Sequence, residues 1–188
     1  MNEPIIIVSG LPRSGTSMMM KMLEAGGMKV VTDMIREADA DNPRGYYEFE
    51  QAKKVETDAS WLPGMRGRAF KMVSMLLKKL PKDFEYKVIF MRRDMDELLA
   101  SQEKMLERLG KPAGPDNANM AEHFSRHLSD IEAWLADAEN FDVLYIQYSD
   151  VISSGEASAR RIAEFVDHAL DVRSMEAVVD ASLYRNRR

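Results

Sequence analysis

The chain has 188 residues, 45% hydrophobic and 30% charged, with a formal net charge of −5 and no cysteine. That length builds one sizeable core and predicts a single domain over 1–188. The missing cysteines exclude disulfides and thiolate metal sites and fit a reducing, cytoplasmic setting, while the acidic balance disfavours nucleic acid as a partner. No stretch approaches the roughly 18 to 20 apolar residues that a membrane-spanning helix needs.

In chain order, the apolar run Pro4 to Val8 predicts a strand, Gly10 to Ser17 (GLPRSGTS) a tight loop, and the segment from Met18 the start of a helix. Strand, glycine loop and helix N-terminus together grip a phosphate or sulfate, because successive N–H groups and the helix dipole converge on one oxyanion. The spacing matches a nucleotide P-loop except that Thr16 stands where the lysine belongs, and the cation has moved to Arg13. Further strands are expected at Lys29 to Val31, Ala69 to Ser74, Tyr86 to Met91 and Val143 to Tyr148. Helices are expected at Met95 to Leu109, Asn119 to Glu139, Glu156 to His168 and Val172 to Ala181. This alternation predicts an α/β P-loop-type three-layer fold, a mostly parallel central sheet with helices on both faces. The loops Asp39 to Gly45 and Gly110 to Asn119 are candidate lids at the carboxyl ends of the strands. The fifteen methionines read as fillers of core gaps.

The run Pro12-Arg13-Ser14-Gly15-Thr16-Ser17 after a strand resembles the 5′-phosphosulfate loop of the P-loop sulfotransferases, which use 3′-phosphoadenosine 5′-phosphosulfate (PAPS). The resemblance implies that Arg13, Ser14, Gly15, Thr16 and Ser17 bind the donor, that the product is 3′,5′-adenosine bisphosphate, and that no metal is required. It also implies a 3′-phosphate site at Arg93 and Ser101, which keep the family's spacing of eight between a strand-end arginine and a helix serine. A guanidinium suits that site because its planar fork pairs two phosphate oxygens. Tyr148, in Tyr148-Ser149-Asp150-Val151, resembles the tyrosine that family members place near the adenine; an ordinary core tyrosine is the other reading. Leu183-Tyr184-Arg185 is also similar to the family and carries no assigned role.

Sulfonate transfer needs a held donor, a deprotonated acceptor and stabilised charge on the sulfonate oxygens. Lys71, within a short strand, is the candidate for the last need, with an edge-strand lysine as the alternative. Many cytosolic members carry a histidine base two residues past such a lysine, but here that position is Val73. The base is therefore sought among carboxylates. Glu48, after Asn42-Pro43-Arg44-Gly45-Tyr46-Tyr47, leads, and Asp33 follows, at about the distance beyond the loop arginine seen for the glutamate of the tyrosylprotein branch. Both also read as helix-start acids. His123 and His127 form an H-x-x-x-H pair that reads as helix packing rather than a metal site.

The function that results is transfer of a sulfonate from PAPS to a hydroxyl or amine of a small-molecule or peptide acceptor. A P-loop small-molecule or nucleotide kinase, and a non-catalytic nucleotide-binding module on the same fold, are the alternatives. Acceptor identity and oligomeric state are not encoded in any motif of the chain.

Overall fold

A computed structural model describes residues 3–33, 45–110 and 117–180. Four parallel strands, β1 (Ile5–Gly10), β2 (Ala69–Val73), β3 (Tyr86–Arg92) and β4 (Phe141–Gln147), form one sheet in the order β2-β1-β3-β4. The helices are α1 (Thr16–Ala25), α2 (Glu50–Lys53), α3 (Met95–Arg108), α4 (Asn117–Asp137), α5 (Tyr148–Ser153), α6 (Gly155–Val166) and α7 (Val172–Ala177). Two 3₁₀ helices, Leu62–Met65 and Ser74–Lys79, bracket β2.

Every residue of β1 is buried, as expected for a strand covered on both faces. Alternate side chains divide the core between two layers. Ile6 and Val8 pack with α1, α6 and α7 through Met19, Met22, Ile162 and Met175, whereas Ile5 and Ile7 face Phe70, Phe90, Ile131 and Leu135 on the α4 side. Met19, Met20 and Met22 are fully buried, which suits an unbranched side chain filling irregular gaps.

The expected strand at Lys29 to Val31 is absent as a strand. Only Val30 bridges Ala69, through the bonds of the Ala69 N–H to the Lys29 carbonyl (2.9 Å) and of the Val31 N–H to the Ala69 carbonyl (2.8 Å). Beyond it, Thr32 Oγ1 and the Asp33 N–H both donate to the Glu48 carbonyl, at 3.1 and 3.0 Å, which draws the chain off the sheet edge. Tyr148 opens α5 instead of closing β4. The last helix ends at Ala177 and α6 at Val166, where Asp167 takes a left-handed conformation (φ 56). Residues 39–44 and 111–116 of the two candidate lids, and the Leu183-Tyr184-Arg185 segment, lie outside the described residues. No helix among the described residues is long and apolar enough to cross a membrane.

Candidate functional site

The site lies at the carboxyl ends of β1, β2 and β3. β1 ends at Gly10 (φ 147), where a Cβ would come within 2.6 Å of both the Met91 carbonyl and Ser14 Oγ, so the loop can turn this tightly only at glycine. Arg13 adopts φ 69 and Gly15 φ 99. Gly15 caps α1 without any side-chain bond, and the first turn holds no acid. The Thr16, Ser17 and Met18 N–H groups precede the first intrahelical donor, the Met19 N–H on the Gly15 carbonyl (3.1 Å), and a helix start of this kind attracts anions. Ser14 is buried, and its hydroxyl has no hydrogen-bond partner among the described residues. A buried hydroxyl inside an anion loop is a donor that a bound oxyanion satisfies.

Around this loop the structure assembles residues from distant segments. Arg13 Nε donates to Ser101 Oγ of α3 at 3.0 Å, and Arg93 Nη1 donates to the Arg13 carbonyl at 3.1 Å. The Arg93 guanidinium lies 4.5 Å from the centre of the Tyr148 ring and pairs with Glu97 at 3.3 Å, both partners of that pair being largely buried. Tyr148 in turn lies over Gly15, where a Cβ would sit 2.5 Å from its Cδ2. Burial pushes the Tyr148 phenol up, against the opposing pull of Arg93, so it stays a neutral ring. Arg13, Gly15, Arg93, Ser101 and Tyr148 are thus linked by pairwise contacts at the loop that also holds Ser14, with Thr16 and Ser17 on the adjoining helix turn. Arg92 points away: it pairs with Glu132 of α4 at 2.5 Å and stacks 4.2 Å from the Tyr145 ring.

Lys71 reaches the same loop from β2. Its Nζ lies 3.4 Å from Ser17 Oγ and donates to the Tyr46 carbonyl, which also accepts from Ser17 Oγ at 3.1 Å. Val73 and Met75, which follow Lys71 in the chain, are two of the large hydrophobics exposed among the described residues.

The two candidate bases sit in a different setting. Asp33 Oδ2 accepts from the N–H of Glu50, the first residue of α2, at 2.6 Å. The Glu48 carboxylate pairs with Lys53 at 2.8 Å, and the hydrogen bonds that Lys53 donates to Glu48 and Glu50 raise its pKa. The helix-start reading of Asp33 therefore describes its contact. His127 Nε2 lies 2.8 Å from Ser74 Oγ, and burial, then Lys78, lowers its pKa; His123 is exposed. Among the described residues no cluster of His, Asp and Glu is arranged to hold a metal ion. Asp94, the nearest acid to the strand end, caps α3 by accepting from the N–H groups of Asp96 and Glu97 at 3.1 and 3.2 Å.

Sequence reasoning missed three contributors: the Tyr46 carbonyl, Tyr47 and Glu24. Tyr47 has φ 52, which is rare for a bulky residue and costs on the order of 1 kcal/mol, and its hydroxyl donates to Glu24 Oε2 at 2.5 Å. No spacing rule links a helix glutamate to a tyrosine 23 residues on. The double tyrosine after Gly45 was the one visible signal.

No curated protein sequence matches the chain. Among solved structures it is similar to the mouse sulfotransferase SULT7A1 complexed with PAP, at 19% identity and a TM-score of 0.59, over 97% of this chain and 63% of that one. It is similar to sulfotransferase STF9 of Mycobacterium avium (15%, TM-score 0.60, 100% and 69% of the two chains) and to STF1 of Mycobacterium tuberculosis (15%, 0.59, 95% and 71%). The chain thus spans about two thirds of the length of these relatives, and at such identities the likeness shows the fold. The sulfotransferase domain family model matches residues 3–188, and the chain belongs to that family.

Proposed function

We propose that this chain is a transferase that moves a sulfonate from PAPS to a hydroxyl or amine of a small-molecule or peptide acceptor, acting as one domain over residues 1–188 and needing no metal. One observation carries the reading. Two motifs 80 residues apart in sequence meet where Arg93 touches both the Arg13 carbonyl and the Tyr148 ring, and the next loop residue, Ser14, has a buried hydroxyl without a hydrogen-bond partner among the described residues. The PAP held by the mouse relative supports the choice of donor.

The residues present fit that donor. The Ser14 hydroxyl, the N–H groups of Gly15, Thr16 and Ser17, and Arg13 would hold the 5′ end, while Arg93 and Ser101 would hold the 3′-phosphate and the Tyr148 ring would lie against the adenine. The donor supplies the sulfonate and leaves as 3′,5′-adenosine bisphosphate. Lys71 supplies a positive charge beside the loop for the sulfonate oxygens, an electrostatic role that water exclusion strengthens. Glu48 is proposed to take the acceptor's proton, with Asp33 second; either must leave its present partner to do so. The kinase reading lacks its loop lysine at Thr16, and Asp94 is engaged as a helix cap.

Calorimetric titration with 3′,5′-adenosine bisphosphate and with adenosine 5′-monophosphate tests the reading. Binding that requires the 3′-phosphate and is lost in Arg93→Ala is expected. Equal binding of both nucleotides would remove the 3′-phosphate site. Tight bisphosphate binding without sulfonation of any acceptor would leave a nucleotide-binding module.

A further inference from the structure

Lys71 and Ser17 share one acceptor, the Tyr46 carbonyl, and the direction of that carbonyl depends on the backbone on either side of it. Both neighbours are left-handed: Gly45 at φ 88 and Tyr47 at φ 52. Glycine adopts such a conformation freely, but tyrosine holds it only where surrounding contacts enforce it. The contact in view is the hydroxyl of Tyr47 on Glu24 Oε2 of α1, at 2.5 Å, with Lys21 on the same carboxylate oxygen at 3.0 Å. The Tyr47 ring packs against the core layer that contains α1. The Tyr46 side chain is buried, so the segment is anchored on both sides of the carbonyl.

We propose that Tyr47 and Glu24 are positioning residues for the transfer reaction: their clasp holds the Gly45–Tyr47 strap against α1 so that the Tyr46 carbonyl aims the Lys71 ammonium and the Ser17 hydroxyl at the mouth of the anion loop. The clasp acts through the carbonyl, which accepts both donors and leaves the ammonium's other protons directed by the same geometry. An ammonium on a flexible four-carbon stem needs such an anchor, because small misplacements of a charge-stabilising group lower turnover steeply. The functional consequence rests on the donor-site reading above, while the positioning of Lys71 does not.

The test reads Lys71 directly. In protein carrying ¹³C,¹⁵N-labelled lysine, the Lys71 Cε–Nζ resonance is assigned by its loss in Lys71→Arg and then compared in Tyr47→Phe and Glu24→Gln. The clasp predicts that the resonance moves toward the position of exposed lysines in both variants, that the double variant moves it no further, and that Lys21→Met leaves it in place. Donor turnover is expected to fall about tenfold in Tyr47→Phe while the affinity for 3′,5′-adenosine bisphosphate stays within about twofold. A Lys71 resonance unmoved in both Tyr47→Phe and Glu24→Gln overturns the proposal. If the wild-type chain binds no bisphosphate, the donor-site reading fails instead, and the Lys71 resonance still decides the clasp. The two variants approach the bond from different elements, so destabilisation of one leaves the other to decide.

Discussion

The donor side and the acid side of the site are built differently. At the loop, Arg13, Arg93, Ser101 and Tyr148 are joined by contacts to one another, and the buried Ser14 hydroxyl in the same loop has no hydrogen-bond partner among the described residues. Glu48 and Asp33, by contrast, are engaged in local structure, one with Lys53 and the other with the first N–H of α2. Under the proposed function, this difference would make a loop organised for donor capture and a proton acceptor that exchanges partners before it acts.

The sharpest way to break this comparison is Glu48→Gln. If Glu48 is the base, turnover falls by about 1000-fold while bisphosphate affinity is kept. Retained turnover in a coupled assay removes it and leaves Asp33→Asn as the next variant. On the donor side, Arg93→Ala is expected to weaken bisphosphate binding about 100-fold, because the phosphate loses its fork and Glu97 is left buried beside it. Calorimetry reads this, and an unchanged affinity would detach Arg93 from the donor.

Gly15→Ala sharpens the same side through stability. Its Cβ would meet Tyr148 Cδ2 at 2.5 Å, at a φ of 99 that alanine resists. A loss of about 2 kcal/mol and a melting temperature lower by several degrees are expected; an unaltered melting temperature would mean that Tyr148 does not lie over the loop.

The smallest effect concerns pH. The His127 pKa is lowered from 6.5 by burial, so the unfolded chain takes up its proton first as pH falls. Stability is therefore lost as pH falls from about 6.5 toward the depressed folded value. Denaturant titrations of wild type and His127→Gln should show a shallower slope in that window for the variant.

The fold was largely legible because its cues are local. β1, β3 and β4 are apolar runs of strand length, and the glycine loop marks the first turn. The edge segment Lys29–Val31 was not, because a single bridge to Ala69 is all that forms before Thr32 and Asp33 bond to Glu48, a contact between residues about 16 apart that periodicity does not encode. The meeting of Arg13, Arg93 and Ser101 was legible because they sit in motifs whose spacing reflects a strand end and the helix after it. The Tyr46 carbonyl was not, since a backbone oxygen has no residue signature, and the bond from Tyr47 to Glu24 depends on a tertiary approach of the strap to α1.

The account's central claim is a site for a nucleotide carrying a 3′-phosphate. The most direct measurement is a thermal-shift titration with 3′,5′-adenosine bisphosphate beside ATP with Mg²⁺. At about 100 times its Kd a ligand adds roughly 2.7 kcal/mol, which moves the midpoint of a chain of this size by several degrees. The account predicts a shift with the bisphosphate and none with Mg-ATP; a shift with Mg-ATP alone would contradict it and return the chain to the kinase reading.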